Sequence, residues 1–345
     1  MQAVSGLAGP GAGWLALVAI VAPIYYFGAF AVYGYATSDL VDGRWVSQII
    51  SFLRSGEDDL PQLLGARSRF LWLGLVMLYV PLILSVCVFS LVIVARRTGE
   101  HARVVVGGLI VVALAFGGGV WLLAASQIAG CLTDACGPGC ATTSGGYPFS
   151  IIRYLGGVFC QLYDPAFVAF FRGYNILVGP VHMIAVVLFF AAVLSLTLGR
   201  IDQWRIEDLR QRVSDFLVIL LLGSALFTYM ALLELTLWGW FVEIADGWAE
   251  VGALQNLQLG STLFWGMTNS ALMLLVFAPI GLLLARQSRV LAEHHNDGAS
   301  PPELEAWERE HGITLHGRAL WTQFGGMLAP LLTGALAFLF ERAVG

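Results

Sequence analysis

The sequence predicts an all-α polytopic membrane bundle of six or seven transmembrane helices, with a disulfide-stapled outer loop. Apolar residues make up 58% of the 345 residues and charged residues only 12%, about half of the ~25% that is usual in globular proteins. The apolar residues are also grouped into long runs with at most one charge, and about 20 such residues cross a bilayer as a helix. Backbone polar groups in lipid must bond within their own segment, so these runs are predicted to be helices.

Six of these runs define a membrane domain over residues 1–285. They are residues 14–36, 70–95, 104–129, 174–198, 216–240 and 262–285. A seventh uncharged run, 319–340, contains Gln323 and Pro330. We expect this run either to span the membrane or to re-enter it.

The connections between the runs differ in character. The outer loops are expected at 37–69, 130–173 and 241–261, and a cytoplasmic tail at 286–318. Within the tail, Ser300-Pro301-Pro302-Glu303 has the pattern of a helix start, because Ser caps, Pro suits the first turn and Glu can complete a capping box. A short helix is therefore predicted near 301–311, with Gly312 as its stop.

The arginines predict the orientation of the bundle. Short loops on one side are rich in Arg, as in Arg96-Arg97 and in the segment from Arg205 to Arg212. Such loops mark the cytoplasmic side, which predicts a cytoplasmic N-terminus in a plasma membrane, the inner membrane of a bacterium. Arg67 and Arg69, beside the second run, argue against this orientation.

Four of the five cysteines fall in the loop that this topology places outside. They are Cys131, Cys136, Cys140 and Cys160. In an oxidising compartment four cysteines favour two disulfides, with three pairings open. A four-thiolate zinc site is the alternative, but the C-x4-C-x3-C-x19-C spacing is not a standard one, so no metal is assigned.

A few polar residues interrupt the apolar runs and form the candidate site. With a helix rise of ~1.5 Å per residue, Glu234, His182 and Asn269 each lie roughly 9–12 Å from the same end of the bundle, and Gln127 closes the third run there. These four residues are predicted to meet as an intramembrane polar cluster in the outer leaflet. A Glu–His pair at such a depth could exchange a proton near neutral pH.

Two interpretations of this cluster remain open. In one, Glu234 and His182 line an outward-facing cavity of a channel or transporter for an ion, a proton or a small polar solute. In the other, the polar groups hold helices together by hydrogen bonds, and the protein is a non-catalytic subunit, anchor or effector. Glu234 favours the first interpretation, since a carboxylate in the membrane costs several kcal/mol unless it is paired, protonated or wetted.

Other functional classes find little support in the sequence. The net charge of −5 disfavours a nucleic-acid partner. There is no P-loop, GxGxxG or GxSxG motif, so we assign no cofactor and no catalytic residue, and an enzyme is the less favoured class. The expected partners are the lipid bilayer and a second copy or another membrane protein.

Overall fold

Helices form every element of the chain that the structure describes. The structure, a computed structural model, describes residues 66–97, 181–197, 205–249, 251–315 and 325–336, together with residues 21, 24, 25, 28, 29, 32, 33 and 107. In chain order the helices are α1 (Ala66–Arg97), α2 (Val181–Ser195), α3 (Ile206–Ile244), α4 (Val251–His295), α5 (Pro301–Glu310) and α6 (Gly325–Leu336). Residues 21–33 that are described are helical too, and we call them the N-terminal segment.

Three of these helices, α1, α3 and α4, are long and apolar enough to cross a membrane. Their outward surfaces fit that environment, since Phe70, Met77 and Leu221 are 68%, 67% and 71% exposed. Exposed apolar side chains of this size are favourable in hydrocarbon. In water, a contiguous apolar surface of this kind would promote aggregation. The chain is therefore a helical membrane protein, as its composition predicts.

The long helices run antiparallel, with α3 between α1 and α4. The Trp72 ring contacts the Trp240 ring, and Arg97 pairs with Asp215, at opposite ends of the α1–α3 contact. A turn over residues 245–249 follows α3 and leads towards α4. The helices α3 and α4 therefore pack along most of their length.

The core of the bundle is built around aromatic rings from three helices. Phe189 of α2 is fully buried and contacts the rings of Phe227 and Phe277. It fits because Gly223 has no side chain: a Cβ there would lie 2.3 Å from Phe189. This contact fixes α2 against α3.

Small residues also allow α6 to approach α4. A Cβ at Gly266 would lie 2.7 Å from the Pro330 carbonyl oxygen, and one at Gly334 would lie 3.1 Å from that of Thr262. Close backbone approach at small residues is typical of membrane helices. Because Gly334 pairs with Thr262 and Pro330 with Gly266, α6 runs antiparallel to α4.

Several helix bounds differ from those predicted from hydropathy. The loop expected at 241–261 is mostly helix, because α3 continues to Ile244 and α4 begins at Val251. The tail expected from 286 begins later, since α4 continues to His295. Hydropathy misses the ends of these helices because their residues are mostly polar. The helices continue there because a few apolar side chains are buried against neighbouring helices, namely Leu209, Val213 and Ala292.

The tail helix α5 folds back onto α4. Its first turn has the expected capping box, in which the Glu303 carboxylate accepts hydrogen bonds from the Ser300 backbone N–H and hydroxyl. After α5 the chain turns at Gly312, with φ of +68°, and buries Ile313 and Leu315 completely. The tail is thus part of the packed structure.

Candidate functional site

Glu234 lies on α3 in the half of the bundle that contains Trp240, six residues before it and ~9 Å away along the axis. Its side chain is only partly exposed. An ionised carboxylate at this depth must be compensated by neighbouring groups. The structure provides that compensation through hydrogen bonds.

Three donors converge on a single oxygen of Glu234. The Tyr33 hydroxyl, the Trp238 indole N–H and the Ser261 hydroxyl lie 2.6, 2.9 and 2.8 Å from Oε1. The Tyr33 and Ser261 hydroxyls also contact each other, so these two groups share their two protons among three oxygens. The donors come from the N-terminal segment, from α3 itself and from α4. Because all three are neutral, the carboxylate gains hydrogen bonds without a counter-charge.

The second oxygen of Glu234 is different. Within the described residues, Oε2 accepts none of the hydrogen bonds and no arginine or histidine forms an ion pair with this carboxylate. One oxygen is thus fixed by the protein, while the other can take up a proton or coordinate a cation. That asymmetry is the main chemical feature of the site.

Sequence reasoning missed the three partners of Glu234. Trp238 could have been found, since it lies four residues further along the same helix and so on the same face. Tyr33 and Ser261 are polar residues near the ends of their runs, but their meeting with Glu234 depends on tertiary packing. Tyr33 also contacts the rings of Phe264 and Trp265, which positions its hydroxyl.

His182 lies on the other side of α3. Its Nδ1 is 2.5 Å from the Tyr79 hydroxyl of α1, and the two rings stack at a centroid distance of 5.9 Å. The expected direct Glu234–His182 pair does not form, because Glu234 faces α4 and the N-terminal segment whereas His182 faces α1. The two residues share a depth, since the Trp72–Trp240 and Arg97–Asp215 contacts put Tyr79 level with Leu233.

Asn269 also stands apart from Glu234. It is fully buried on α4, and neither its Nδ2 nor its Oδ1 has a hydrogen-bond partner in the described part of the chain. Gln127 lies outside the described residues, as do Cys131, Cys136, Cys140 and Cys160. Cys87, within α1, is a free thiol.

The opposite end of the bundle carries a buried ion cluster. Arg97 Nη2 lies 2.7 Å from Asp215 Oδ2, and both side chains are 7% exposed. Arg96 lies 3.7 Å from the other oxygen of Asp215, to which Gln211 donates a hydrogen bond. Arg212, also buried, donates to the Leu196 carbonyl. The cluster itself therefore brings three guanidinium groups to one buried carboxylate.

The tail histidines pack against an indole. Trp307 lies between the rings of His295 and His311, at centroid distances of 5.4 and 4.0 Å. Within the described residues no group of His, Cys, Asp and Glu has the arrangement of a metal site. The rings therefore act in docking α5 on α4.

Comparisons with protein-family models, curated proteins and solved structures find no match to this chain.

Proposed function

We propose that the protein is a channel or transporter that carries a proton or another small cation across the membrane, with Glu234 as the carboxylate that binds it. The observation that carries this proposal is the unequal environment of the two Glu234 oxygens. Three neutral groups contact Oε1, and Oε2, which has no hydrogen-bond donor among the described residues, is the oxygen that we assign to the transported species.

The neutral donors leave the Glu234 carboxylate available to bind a cation. An arginine partner would hold the carboxylate ionised and would compete with an incoming cation. Hydroxyl and indole donors carry no net charge, so they hold the carboxylate in place without repelling an incoming cation. A purely structural role would be served as well by an uncharged residue, which costs less to bury.

His182 extends the same proposal. It is a second protonatable group at the depth of Glu234, and the Tyr79 hydroxyl is within hydrogen-bond distance of its Nδ1. In this proposal His182 and Tyr79 hold α2 against α1 at the depth of Glu234. They do not bind the transported species together with Glu234.

The orientation belongs to the proposal too. The end with Arg96 and Arg97 faces the cytoplasm, and Glu234 is reached from outside a bacterial inner membrane. The loop with Cys131–Cys160 then lies outside, where disulfides form.

Thiol labelling of intact cells tests this orientation. A membrane-impermeant maleimide should label Cys131–Cys160 only after a reductant is added. Labelling that needs opened membranes would put these thiols on the reducing side and reverse the orientation.

Flux measurements in proteoliposomes test the function. Glu234→Gln keeps an acceptor oxygen for the three donors, so the protein should fold, but it removes the titratable group. Proton or cation flux should fall to the level of protein-free liposomes.

Glu243→Gln is the matched control. Glu243 lies on the same helix, nine residues further on, and accepts hydrogen bonds from the Ser68 hydroxyl and backbone N–H. We expect this variant to keep its flux. Equal flux in wild type and Glu234→Gln would exclude Glu234 from transport and favour a role in assembly with a partner.

A further inference from the structure

A second polar site lies deeper in the bundle, around Asn269. This residue is 0% exposed, and both its amide nitrogen and its amide oxygen lack a hydrogen-bond partner among the described residues. Nearly all buried polar side chains in proteins are hydrogen-bonded, so each exception requires an explanation. An amide with both groups unpaired, inside a membrane helix bundle, is a strong exception.

The packing of α3 on α4 fixes the depth of Asn269. Ser261 lies beside Glu234, and Met273 lies beside Gly223. Between these two contacts, Asn269 is level with Leu226 and Phe227, and Thr228 is the next residue along α3. It therefore lies about seven residues, or ~10 Å, from Glu234 along α3, towards the Arg97 end.

Thr228 repeats the anomaly on the neighbouring helix. Its Oγ1 is buried and has no hydrogen-bond partner within the described part of the chain. A threonine hydroxyl in a helix commonly bonds to the carbonyl one turn earlier, as Thr236 does to Leu232. Two neighbouring helices thus each carry polar atoms that lack a hydrogen-bond partner among the described residues, at nearly the same depth.

Helix α6 adds a backbone acceptor at this level. Pro330 has no N–H, so the Gly326 carbonyl cannot receive the usual helical hydrogen bond from residue 330. Gly326 neighbours Ser224 of α3, and Ser270 of α4 accepts a hydrogen bond from the Leu331 N–H. The start of α6 therefore meets both helices at the depth of Asn269 and Thr228.

We propose that Asn269, Thr228 and the Gly326 carbonyl form a buried site that binds water. The set combines an amide donor, an amide acceptor, a hydroxyl and a carbonyl acceptor. Water can donate and accept at once, so it satisfies all of these groups, whereas a bare metal cation would leave the Nδ2 donor unpaired. An apolar occupant would satisfy none of them.

This inference also deepens the proposed function, on which its second half rests. A water site about 10 Å inward from Glu234 provides a relay for protons and offers a metal cation no charged ligand. The transported species is then a proton, which travels between Glu234 and the water held by Asn269 through further water molecules along the ~10 Å that separates the two sites.

Radiolytic hydroxyl-radical labelling of the protein in lipid nanodiscs tests the water site without any transport assay. X-rays split bound water, and the radicals oxidise methionines beside it. Met273, one turn after Asn269, and Met327, next to Gly326, are only 1% and 2% exposed, so both should be oxidised despite their burial. Met267 lies on α4 at nearly the same depth, but it is 60% exposed towards lipid, and should be oxidised less.

Two variants make the test specific. Asn269→Leu is close in volume and removes both amide groups, while Thr228→Val removes one hydroxyl with almost no change in shape. Oxidation of Met273 and Met327 should fall in each variant to the level of Met267. Oxidation that is no higher than that of Met267 in the wild type, or that is unchanged in both variants, would overturn the water site.

Proton flux in proteoliposomes then tests the relay. Wild-type flux of protons but not of sodium, lost in Asn269→Leu, supports it. If a variant loses the oxidation of Met273 and Met327 but keeps its proton flux, the relay is refuted. The water site and the role of Glu234 are not affected by that result. Loss of flux in Glu234→Gln with labelling intact keeps the two sites distinct.

Discussion

Replacing Asp215 by Asn should destabilise the protein strongly, because Asp215 is the carboxylate at the centre of a buried, positively charged cluster. The substitution keeps the shape of the side chain and removes its charge. Arg97, whose side chain is 7% exposed, then lacks its counter-ion, and Arg212 loses a nearby negative charge. Removing one partner of a buried ion pair costs about 3–5 kcal/mol.

An exposed pair on the same protein provides the comparison. Arg289 and Glu293 form an ion pair of 3.2 Å one turn apart on α4, with side chains 27% and 57% exposed. Exposed pairs of this kind contribute below ~1 kcal/mol, since water and salt screen them. Glu293→Gln should therefore have little effect, although it makes the same chemical change as Asp215→Asn.

Unfolding in mixed micelles, followed by loss of helix signal, measures both free energies. The equilibrium constant for unfolding should rise by roughly two to four orders of magnitude for Asp215→Asn, and by less than about fivefold for Glu293→Gln. The double variant Arg97→Gln/Asp215→Asn should recover part of the loss, because the uncompensated guanidinium is removed. If Asp215→Asn costs no more than Glu293→Gln, burial does not determine the strength of these pairs and the reasoning fails.

Two further predictions concern packing and pH. Gly223→Ala should lower the free energy of unfolding by about 1–3 kcal/mol, because its Cβ would lie 2.3 Å from the buried Phe189 ring. Gly260→Ala is the control and should leave the free energy of unfolding unchanged, because nothing lies within 4 Å of its Cβ. Thermal unfolding of both variants measures the difference, and equal stability would refute the contact. Hydrogen bonds from the backbone N–H and then the hydroxyl of Ser300 lower the pKa of Glu303 below its ordinary value of 4.5, so the cap stabilises α5 above pH 4.5 and is lost as the pH falls through the lowered pKa. Protection factors of the α5 amides, which divide out the intrinsic exchange rate at each pH, should fall there in the wild type but show no such dependence in Glu303→Gln.

Hydropathy predicted where the chain crosses the membrane better than where its helices end. The run at 216–240 lies within α3, which begins ten residues earlier at Ile206. The added residues include Glu207, Asp208 and Arg210, which suit a helix but not lipid. Their placement depends on buried neighbours such as Leu209, and no apolar run signals that.

The candidate site was predictable in its depth but not in its contacts. Helix rise alone puts Glu234 and His182 at a common depth, which the contacts of α1 with α3 support. The rise per residue gives a side chain's position along the helix axis. It does not tell which neighbouring helix the side chain faces. Tyr33, 201 residues away in sequence, reaches Glu234 only through tertiary packing that the sequence pattern does not contain.

The central claim is that water from the predicted outer side reaches the Glu234 carboxylate, and chemical modification of the wild-type protein tests it most directly. Sealed, right-side-out vesicles would be treated with a water-soluble carbodiimide and an amine, and the peptides analysed by mass spectrometry. We expect Glu234 to be modified, while Glu308, which is fully buried in the tail, is spared. Modification of Glu234 by a lipid-soluble carbodiimide alone would contradict the claim, because that carboxylate would then face hydrocarbon and not an aqueous path.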